Sequence, residues 1–287
     1  MKIKYLGTAA AEGWPALFCT CKACKLAREK GGRNIRTRSQ SIIDDRLLID
    51  FSADTYWHFI KNDIAMDRIR ACLITHAHED HLYPEDFCNR RQGFAYLDND
   101  SAEVLTVYGT EKPVQMVRKA TERCAPDRVH TQALERFKTV NIEGYEVTPL
   151  DADHDPYADS VIYIIAGGGK TILYAHDTGI FPESDWEYMI GHALNSTLSR
   201  WIAPAACTRS TNTATWALTR AKRCGSDCWP RGLPTSAPYS ACITSPITAE
   251  RYMTKLLPKW RRKAFWYLVT EWRSKYESDA ARTGFCR

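Results

Sequence analysis

The sequence predicts an α/β protein with a metal site, on three observations. Short apolar runs bounded by polar turns recur through the first two-thirds of the chain, as is typical of strands. Segments with helical character, such as residues 112–124 after the capping residue Thr110, lie between these runs. Residues 73–82 place four potential metal ligands directly after one apolar run. With 287 residues and 44% hydrophobic content, the chain can form one large domain, or two modest ones, around a substantial core.

The predicted elements follow one another closely from the start of the chain. Residues 2–6 are predicted to form the first strand, and residues 41–50 a hairpin whose turn is Asp44-Asp45. A short helix is expected over residues 54–60, where His58 should pack rather than bind a metal. Further strands are expected at 71–74, 104–109, 143–150, 161–165 and 171–174, and a helix start at 84–89. His130 lies in a polar stretch and is expected at the surface.

Composition favours an intracellular setting. The first six residues contain too short an apolar run for a signal peptide, and no stretch of the sequence approaches the length of a membrane span. We therefore expect a cytoplasmic protein with no membrane partner. Eleven cysteines, an odd number, then favour thiols or metal ligands over a disulfide framework.

Residues 73–82 read Leu-Ile-Thr-His-Ala-His-Glu-Asp-His-Leu. His76 and His78 alternate, so both side chains can leave the strand end on one side. Asp80 and His81 follow after a turn and can face a second ion beside the first. Imidazole and carboxylate ligands together suit zinc, manganese or iron. The alternative is a polar loop with exposed histidines, but four such residues directly after a buried strand form a demanding pattern.

This motif resembles the signature of the metallo-β-lactamase superfamily, whose members are mostly dinuclear metallohydrolases. The resemblance implies a four-layer αββα sandwich with the ions at one edge. It implies that His154 joins His76 and His78 on the first ion, and that Asp177 bridges the two ions.

The resemblance also assigns the second ion. Asp80 and His81 would bind it, and Asp80 is the candidate catalytic carboxylate. His176 is expected on the face of its strand opposite to Asp177 and is not expected to be a ligand. Asp153 and Asp155 flank His154 and could support it or could be plain loop acids.

A second cysteine-rich motif narrows the resemblance. Cys19, Cys21 and Cys24 could occupy three corners of a tetrahedral zinc, with a fourth ligand from elsewhere, or could be free thiols. The sequences around them, at 12–18 and 34–39, resemble the phosphodiesterase subfamily that includes the accessory enzyme of the carbon–phosphorus lyase pathway. Arg36 and Arg38 in the second segment could contact a phosphate or could simply be solvated.

The subfamily resemblance implies a reaction and its partners. We expect two divalent cations, zinc or manganese, in the active site and one structural zinc at the cysteines. A metal-bridging hydroxide would attack a small or cyclic phosphodiester. Nucleic acid is not expected as a partner, and a homodimer stays open.

The chain changes character near residue 192. Residues 193–287 contain 16 Lys and Arg against 5 Asp and Glu, a net charge of +11, while the preceding part has a net charge of −6. The same tail holds six of the nine tryptophans and no histidine. A basic extension that binds nucleic acid would explain the charge, but its apolar residues lack clean periodicity.

A displaced reading frame explains the tail better. The resembled family has L-D-C-T, G-H-M-G and H-F-S-H-N-G stretches here, the last supplying the final ligand of the second ion and the fourth ligand of the cysteine zinc. Taking each codon's third base with the next two bases permits these stretches in order, at residues 194–204, 211–217 and 243–250, and a further family match at 263–273. We predict a frameshift between about residues 188 and 194.

The frameshift would leave residues 1–191 as an incomplete hydrolase domain and residues 192–287 as an aberrant tail. An open sheet edge, impaired activity and poor order after residue 192 are then expected. Two alternatives differ in class: an inactive product of the damaged gene, and an RNA-processing nuclease of the same superfamily. The acidic first part of the chain argues against the nuclease.

Overall fold

The computed structural model of the protein describes residues 1–97, 104–179 and 181–192, together with the backbone of a strand at 198–202. The strands are β1 (Ile3–Gly7), β2 (Gln40–Ile43), β3 (Leu47–Ile49), β4 (Ala71–Leu73), β5 (Leu105–Gly109), β6 (Val129–Ala133), β7 (Val140–Ile142), β8 (Tyr145–Asp151), β9 (Val161–Gly167), β10 (Lys170–His176) and β11 (Leu198–Ile202). The α-helices are α1 (Lys22–Lys30), α2 (Thr55–Asn62), α3 (Glu111–Thr121) and α4 (Glu183–Gly191), and short 3₁₀ helices span Gly32–Asn34, Met66–Arg68, Pro84–Arg90 and Pro156–Ala158.

The strands form two sheets. The first has the order β1-β2-β3-β4-β5-β6, antiparallel from β1 to β3 and parallel from β3 to β6. The second has the order β11-β10-β9-β8-β7, in which β11 is parallel to β10 and the other pairs are antiparallel. The predicted hairpins at 41–50 and 161–174 are both present. Asp44 and Asp45 form the first turn with positive φ angles of 49° and 54°, which short polar side chains tolerate.

Three apolar clusters separate the layers. Between the sheets, Leu73 of the first packs in one cluster with Val147 and Tyr163 of the second. On the outer face of the first sheet, Val107 packs with residues of α3 and of the 3₁₀ helix at Pro84–Arg90. On the outer face of the second sheet, β8 to β10 pack against Trp186 of α4. Each sheet is thus covered by helices on one face and by the other sheet on the other, which confirms the predicted four-layer αββα sandwich.

The parallel pairing of β3 and β4 places the ends of these strands side by side. The Asp50 N–H after β3 donates to the Leu73 carbonyl of β4 at 2.8 Å. The Ile74 N–H continues the same strand to the Tyr108 carbonyl of β5. Tyr163 of the second sheet donates its hydroxyl to the Ile74 carbonyl at 2.6 Å. This edge is therefore fixed by both sheets.

One strand after residue 192 is described. β11 pairs with β10 in register from Ile172–Leu198 to His176–Ile202, and β11 is the last strand on that side of the second sheet among the described residues. Backbone hydrogen bonding depends little on side-chain identity, so an unusual composition does not prevent this pairing. The other expectations for the tail fall on residues outside those that the structure describes.

One disulfide was not anticipated. The composition favoured thiols or metal ligands over a disulfide framework, and four described cysteines are free, but Cys88 and Cys124 form a disulfide with a Cα–Cα distance of 5.6 Å. The two residues are 36 positions apart and meet only because the 3₁₀ helix at Pro84–Arg90 packs on α3. Neither spacing nor composition could indicate that contact. Among the residues with described positions, no helix is both long and apolar enough to span a bilayer.

Replacing Leu73, which is 0% exposed between the sheets, by alanine should lower the free energy of unfolding by about 2–5 kcal/mol, because a cavity replaces buried contacts. Chemical denaturation followed by circular dichroism measures this loss. Leu17→Ala is the matched control, since Leu17 is 62% exposed and should change stability by less than about 0.5 kcal/mol. Equal effects of the two substitutions would contradict the assignment of this core.

Candidate metal centre

The residues of the H-x-H-x-D-H motif lie in the loop that follows β4. The Phe51 N–H donates to the His81 carbonyl, and the Tyr83 N–H donates to the Phe51 carbonyl, both at 2.7 Å. The His81 N–H closes the intervening turn on the His78 carbonyl. These bonds hold the loop against the end of β3, so that its side chains project from a fixed backbone.

Three histidines converge in the first group. His76 Nε2 lies 3.1 Å from His78 Nδ1, and His154 Nε2 lies 3.2 Å from the same atom. His154 reaches the group from the end of β8, as the sequence predicted for its position. The three nitrogens lie within 4.8 Å of one another.

A second group shares His76 with the first. His81 Nε2 lies 2.8 Å from Asp177 Oδ2, and His76 Nε2 lies 3.9 Å from the same oxygen. Asp177 follows β10 directly. Asp80 Oδ2 lies 3.5 Å from His81 Nε2 but outside the three-residue group of His76, His81 and Asp177. The structure therefore brings all six residues predicted as active-site ligands to one place, with His76 between the two groups.

Asp50 supports this centre, and sequence reasoning missed it. Its Oδ1 accepts hydrogen bonds from the N–H and the hydroxyl of Thr75, each at 2.8 Å. Its Oδ2 lies 2.7 Å from His81 Nδ1. Because a carboxylate only accepts, the Nδ1 atom must carry the proton, and His81 Nε2 is directed at Asp177. The available signal was an acidic residue at the end of the strand predicted to precede the motif strand.

Charge in the centre follows from burial and from these pairs. Burial by itself would lower the pKa of His81, but the charges of Asp50 and Asp177 outweigh it and hold that pKa well above its usual value. Burial, together with the charge on His81, holds the pKa of His76 well below its usual value. Burial opposes ionisation of Asp177, yet His176 and His81 hold its pKa well below the ordinary range.

The structure also tests the expected orientations of Asp155 and His176, which lie beside the metal centre. Asp155, left open as a support or a loop acid, places Oδ2 3.0 Å from His78 Nε2 and so orients that ring. His176 was expected on the face opposite to Asp177, but both turn toward the same region, and the His176 ring centroid lies 4.9 Å from that of His81. Among the described residues, His176 belongs to none of the groups of possible metal ligands. The strand alternation ends at His176 because Asp177 has a φ angle of 48°, so consecutive side chains turn toward the same region.

The donor set fits a divalent cation. His81 Nε2 is fully buried and has no hydrogen-bond partner among the residues that the structure describes. In the first group, the Nε2 atoms of His76 and His154 lie 3.1 and 3.2 Å from His78 Nδ1. A proton on one nitrogen cannot serve both contacts, so lone pairs of these imidazoles stay unsatisfied. A cation would satisfy these lone pairs together, and imidazole with carboxylate is a set that zinc and manganese accept.

The cysteines form a separate group. The sulfur atoms of Cys19, Cys21 and Cys24 lie within 4.8 Å of one another. Hydrogen bonds from the Cys24 N–H and from neighbouring thiols lower the pKa of Cys21 to about 7, while burial raises that of Cys24 to about 11. The described part of the chain brings no fourth ligand into this group. The zinc interpretation and the free-thiol interpretation both stay open.

The other histidines and arginines considered from the sequence have protein contacts or exposed positions, and none of them needs a metal or phosphate to account for its place. His58 packs as predicted: its Nδ1 bonds to Gln40 and its Nε2 to Thr37, each at 2.6 Å, and burial lowers its pKa to about 4. Arg38 pairs with Asp54 at 3.0 Å. The guanidinium of Arg36 lies 5.8 Å from the centre of the Trp14 ring. His130 is exposed on β6, as expected.

A cleft of about 470 Å³ borders the centre at His154. Four aspartates line it: Asp151, Asp153, Asp155 and Asp159. Its one arginine, Arg136, pairs with Asp151 at 2.9 Å and with Asp159 at 2.7 Å. The walls of the cleft are therefore acidic overall.

The αββα sandwich and the histidine–aspartate cluster at its edge define the class of metallo-β-lactamase-fold hydrolases. The family model described as "Beta-lactamase superfamily domain" matches residues 45–215, more than half of the chain. The protein belongs to this superfamily.

Individual relatives are more distant. The chain is 25% identical over 225 residues to coenzyme PQQ synthesis protein B of Methylobacterium radiotolerans, covering 74% of this chain and 67% of that protein. The crystal structure of Zn²⁺-bound PqqB from Methylobacterium extorquens superposes with a TM-score of 0.54 at 22% identity, covering 69% and 71% of the two chains. A diphosphatase of the PhnP family gives a TM-score of 0.48 at 20% identity, covering 65% and 69%.

The role of Asp50 is open to a direct test. Asp50→Asn should weaken metal binding roughly 10- to 100-fold, because the amide no longer fixes the His81 ring through a charged acceptor. Metal content after dialysis at defined free Zn²⁺ or Mn²⁺, measured by plasma mass spectrometry, gives the result. Asp45→Asn is the control, since its exposed side chain lies in the β2–β3 turn. Unchanged metal affinity in the Asp50 variant would show that His81 does not depend on this contact.

Proposed function

We propose that this fold and site belong to a metal-dependent phosphodiesterase acting on small or cyclic phosphodiesters. The observation that carries the proposal is the convergence of four imidazoles and two carboxylates, from three separate strand ends, on one point of the sheet edge. The cysteine motif and its flanking segments, which resemble the phosphodiesterase subfamily, support the substrate class.

The side chains divide between two cations in this proposal. His76, His78 and His154 would hold the first, and Asp80, His81 and Asp177 would hold the second, with Asp177 shared. Bound divalent cations supply Lewis-acid chemistry, lowering the pKa of water and offsetting negative charge on phosphoryl oxygens.

The chain's own groups complete the proposed chemistry. Asp80 is 7% exposed, so it keeps a small opening to solvent at the centre. We assign it as the carboxylate that accepts the proton of the attacking water. Asp50 and Asp155 keep the rings of His81 and His78 oriented throughout, through the bonds at 2.7 and 3.0 Å.

The acidic cleft beside His154 supports a small substrate. Its volume of about 470 Å³ is within the range of sites that enclose a single small molecule. Four aspartates line this cleft, and its one arginine is already paired with two of them. The part of the phosphodiester substrate that occupies the cleft beside His154 should therefore be neutral or positively charged. An RNA backbone would instead require a basic approach surface, so these walls argue against the nuclease alternative.

We propose further that residues 192–287 are translated in a displaced frame and that this impairs the enzyme. Residues 193–287 contain no histidine, so they cannot supply the final imidazole that the family resemblance implies for the second cation. The same imidazole-bearing stretch would complete the cysteine group, which has three ligands in the described residues.

Hydrolysis of bis-nitrophenyl phosphate tests the activity. A chain restored to the alternative frame should hydrolyse this diester with Mn²⁺ or Zn²⁺, whereas the chain as it stands should show little turnover because one ligand is missing. His154→Ala in the restored chain should reduce turnover to background, and His130→Ala, at an exposed position, should not. RNA cleavage without diester hydrolysis would favour the nuclease. Metal uptake without either activity would favour a role like that named for the PQQ-synthesis relative.

The reading frame is tested by the gene itself. Nucleotide sequencing across the codons for residues 188–194 should reveal an inserted or deleted base relative to independent isolates. Restoring the frame should raise the metal content by about one active-site ion per chain, since a further imidazole becomes available. An uninterrupted frame in an independent isolate, encoding the same tail, contradicts the frameshift.

A further inference from the structure

Ser39, His176 and Asp177 form a buried chain of polar groups that ends in the metal centre. Their exposed fractions are 1%, 3% and 6%. Ser39 precedes β2 of the first sheet, and His176 ends β10 of the second. These hydrogen-bonding side chains therefore connect the two sheets at the edge that carries the metal centre. None of the roles proposed above uses Ser39 or His176.

The positions of the protons on His176 and Ser39 follow from the acceptors that they face. His176 Nδ1 lies 3.2 Å from Asp177 Oδ1, and His176 Nε2 lies 2.5 Å from the hydroxyl oxygen of Ser39. A carboxylate only accepts, so Nδ1 carries a proton in order to face it. The Nε2 atom of a neutral imidazole then accepts the hydroxyl proton of Ser39. Ser39 thereby sets the orientation of the ring.

Each of the two facing atoms depends on the other. Both His176 Nδ1 and Asp177 Oδ1 are buried, and neither has a completed hydrogen bond with any group in the residues that the structure describes. Leaving a buried polar atom unsatisfied is unfavourable, so alignment of these two atoms into a hydrogen bond is favoured. The other oxygen of Asp177, Oδ2, lies 2.8 Å from His81 Nε2. The two carboxylate oxygens are thus divided between His176 and the ligand cluster.

We infer that His176 is a positioning residue that presents Asp177 to the metal centre. Asp177 has a φ angle of 48° at the end of β10, where the regular strand backbone no longer orients its side chain. Donation from Nδ1 to Oδ1 fixes the carboxylate plane, so that Oδ2 stays directed at His76 and His81. The inference rests on the proposed role of Asp177 as a metal ligand.

Two amide substitutions separate the contacts of the ring. In His176→Asn the amide nitrogen can occupy the place of Nδ1 and still donate to Asp177. In His176→Gln the longer amide reaches toward Ser39, in the place of Nε2, and the donor to Asp177 is lost. If His176 positions Asp177, metal affinity should be largely kept in His176→Asn and lost in His176→Gln. If His176 only fills space, the two variants should not differ in this order.

The measurement is the Mn²⁺ affinity of the full chain, followed by the electron paramagnetic resonance signal of free Mn²⁺. Manganese prefers oxygen and nitrogen ligands, so the cysteine group contributes little. His176→Gln should weaken binding roughly 10-fold or more, and His176→Asn by no more than roughly threefold. Ser39→Ala should fall between them, since it frees the ring but keeps the donor. Thermal unfolding of the metal-free variants serves as the control for a general loss of structure.

The outcomes separate this inference from the proposed function. Equal Mn²⁺ affinity in the two His176 variants, an order opposite to that expected, or no binding by the unmodified chain would overturn the positioning role. Diester hydrolysis by the frame-restored protein without the asparagine–glutamine difference would overturn the positioning role and leave the function. The difference in affinity without any diester hydrolysis would leave the positioning role and remove the function.

Discussion

The metal centre depends on one buried carboxylate. Asp50 is 0% exposed, and it joins the backbone of the motif loop, through Thr75, to the imidazole of His81. A buried charge is tolerated only when hydrogen bonds replace its lost hydration. Asp50 has three such bonds, so the loop, the strand end and the ligand ring are held in one arrangement. The geometry of the remaining ligands builds on this fixed point.

The buried carboxylates of the ligand cluster need positive charge nearby, and the protein's own side chains supply only part of it. The charges of Asp50 and Asp177 hold the pKa of His81 well above its usual value, and a cation bound at His81 Nε2 would replace the proton there and offset the same two carboxylates. In the first histidine group, by contrast, burial lowers the pKa of His76 and of His154, which favours the neutral form of these two imidazoles. A set of neutral imidazoles beside buried carboxylates is what a dication requires. The acidic cleft then continues the same preference for positive or neutral groups away from the centre.

Local patterns predicted much of this arrangement because they reflect short-range constraints. The H-x-H-x-D-H spacing after an apolar run located His76, His78, Asp80 and His81. The family resemblance, and not a local pattern, assigned His154 and Asp177 at the ends of later strands. The hairpins followed from their turn residues. Asp50 was not recognised, since its function depends on which strand lies beside β4. The disulfide was missed for a similar reason, because it joins elements whose packing leaves no periodic trace.

By itself, the sequence determined the residue types of the centre, the order in which strands deliver them, and the change of composition near residue 192. Those properties reside in neighbouring residues, where alternation and turn chemistry act. Tertiary structure alone decided that Asp177 turns toward the same region as His176, since its left-handed backbone ends the alternation of β10. It also decided the pairing of β11 with β10 and the contact of His81 Nδ1 with Asp50. Such features depend on contacts between distant segments, whose free energies are set by burial and not by sequence spacing.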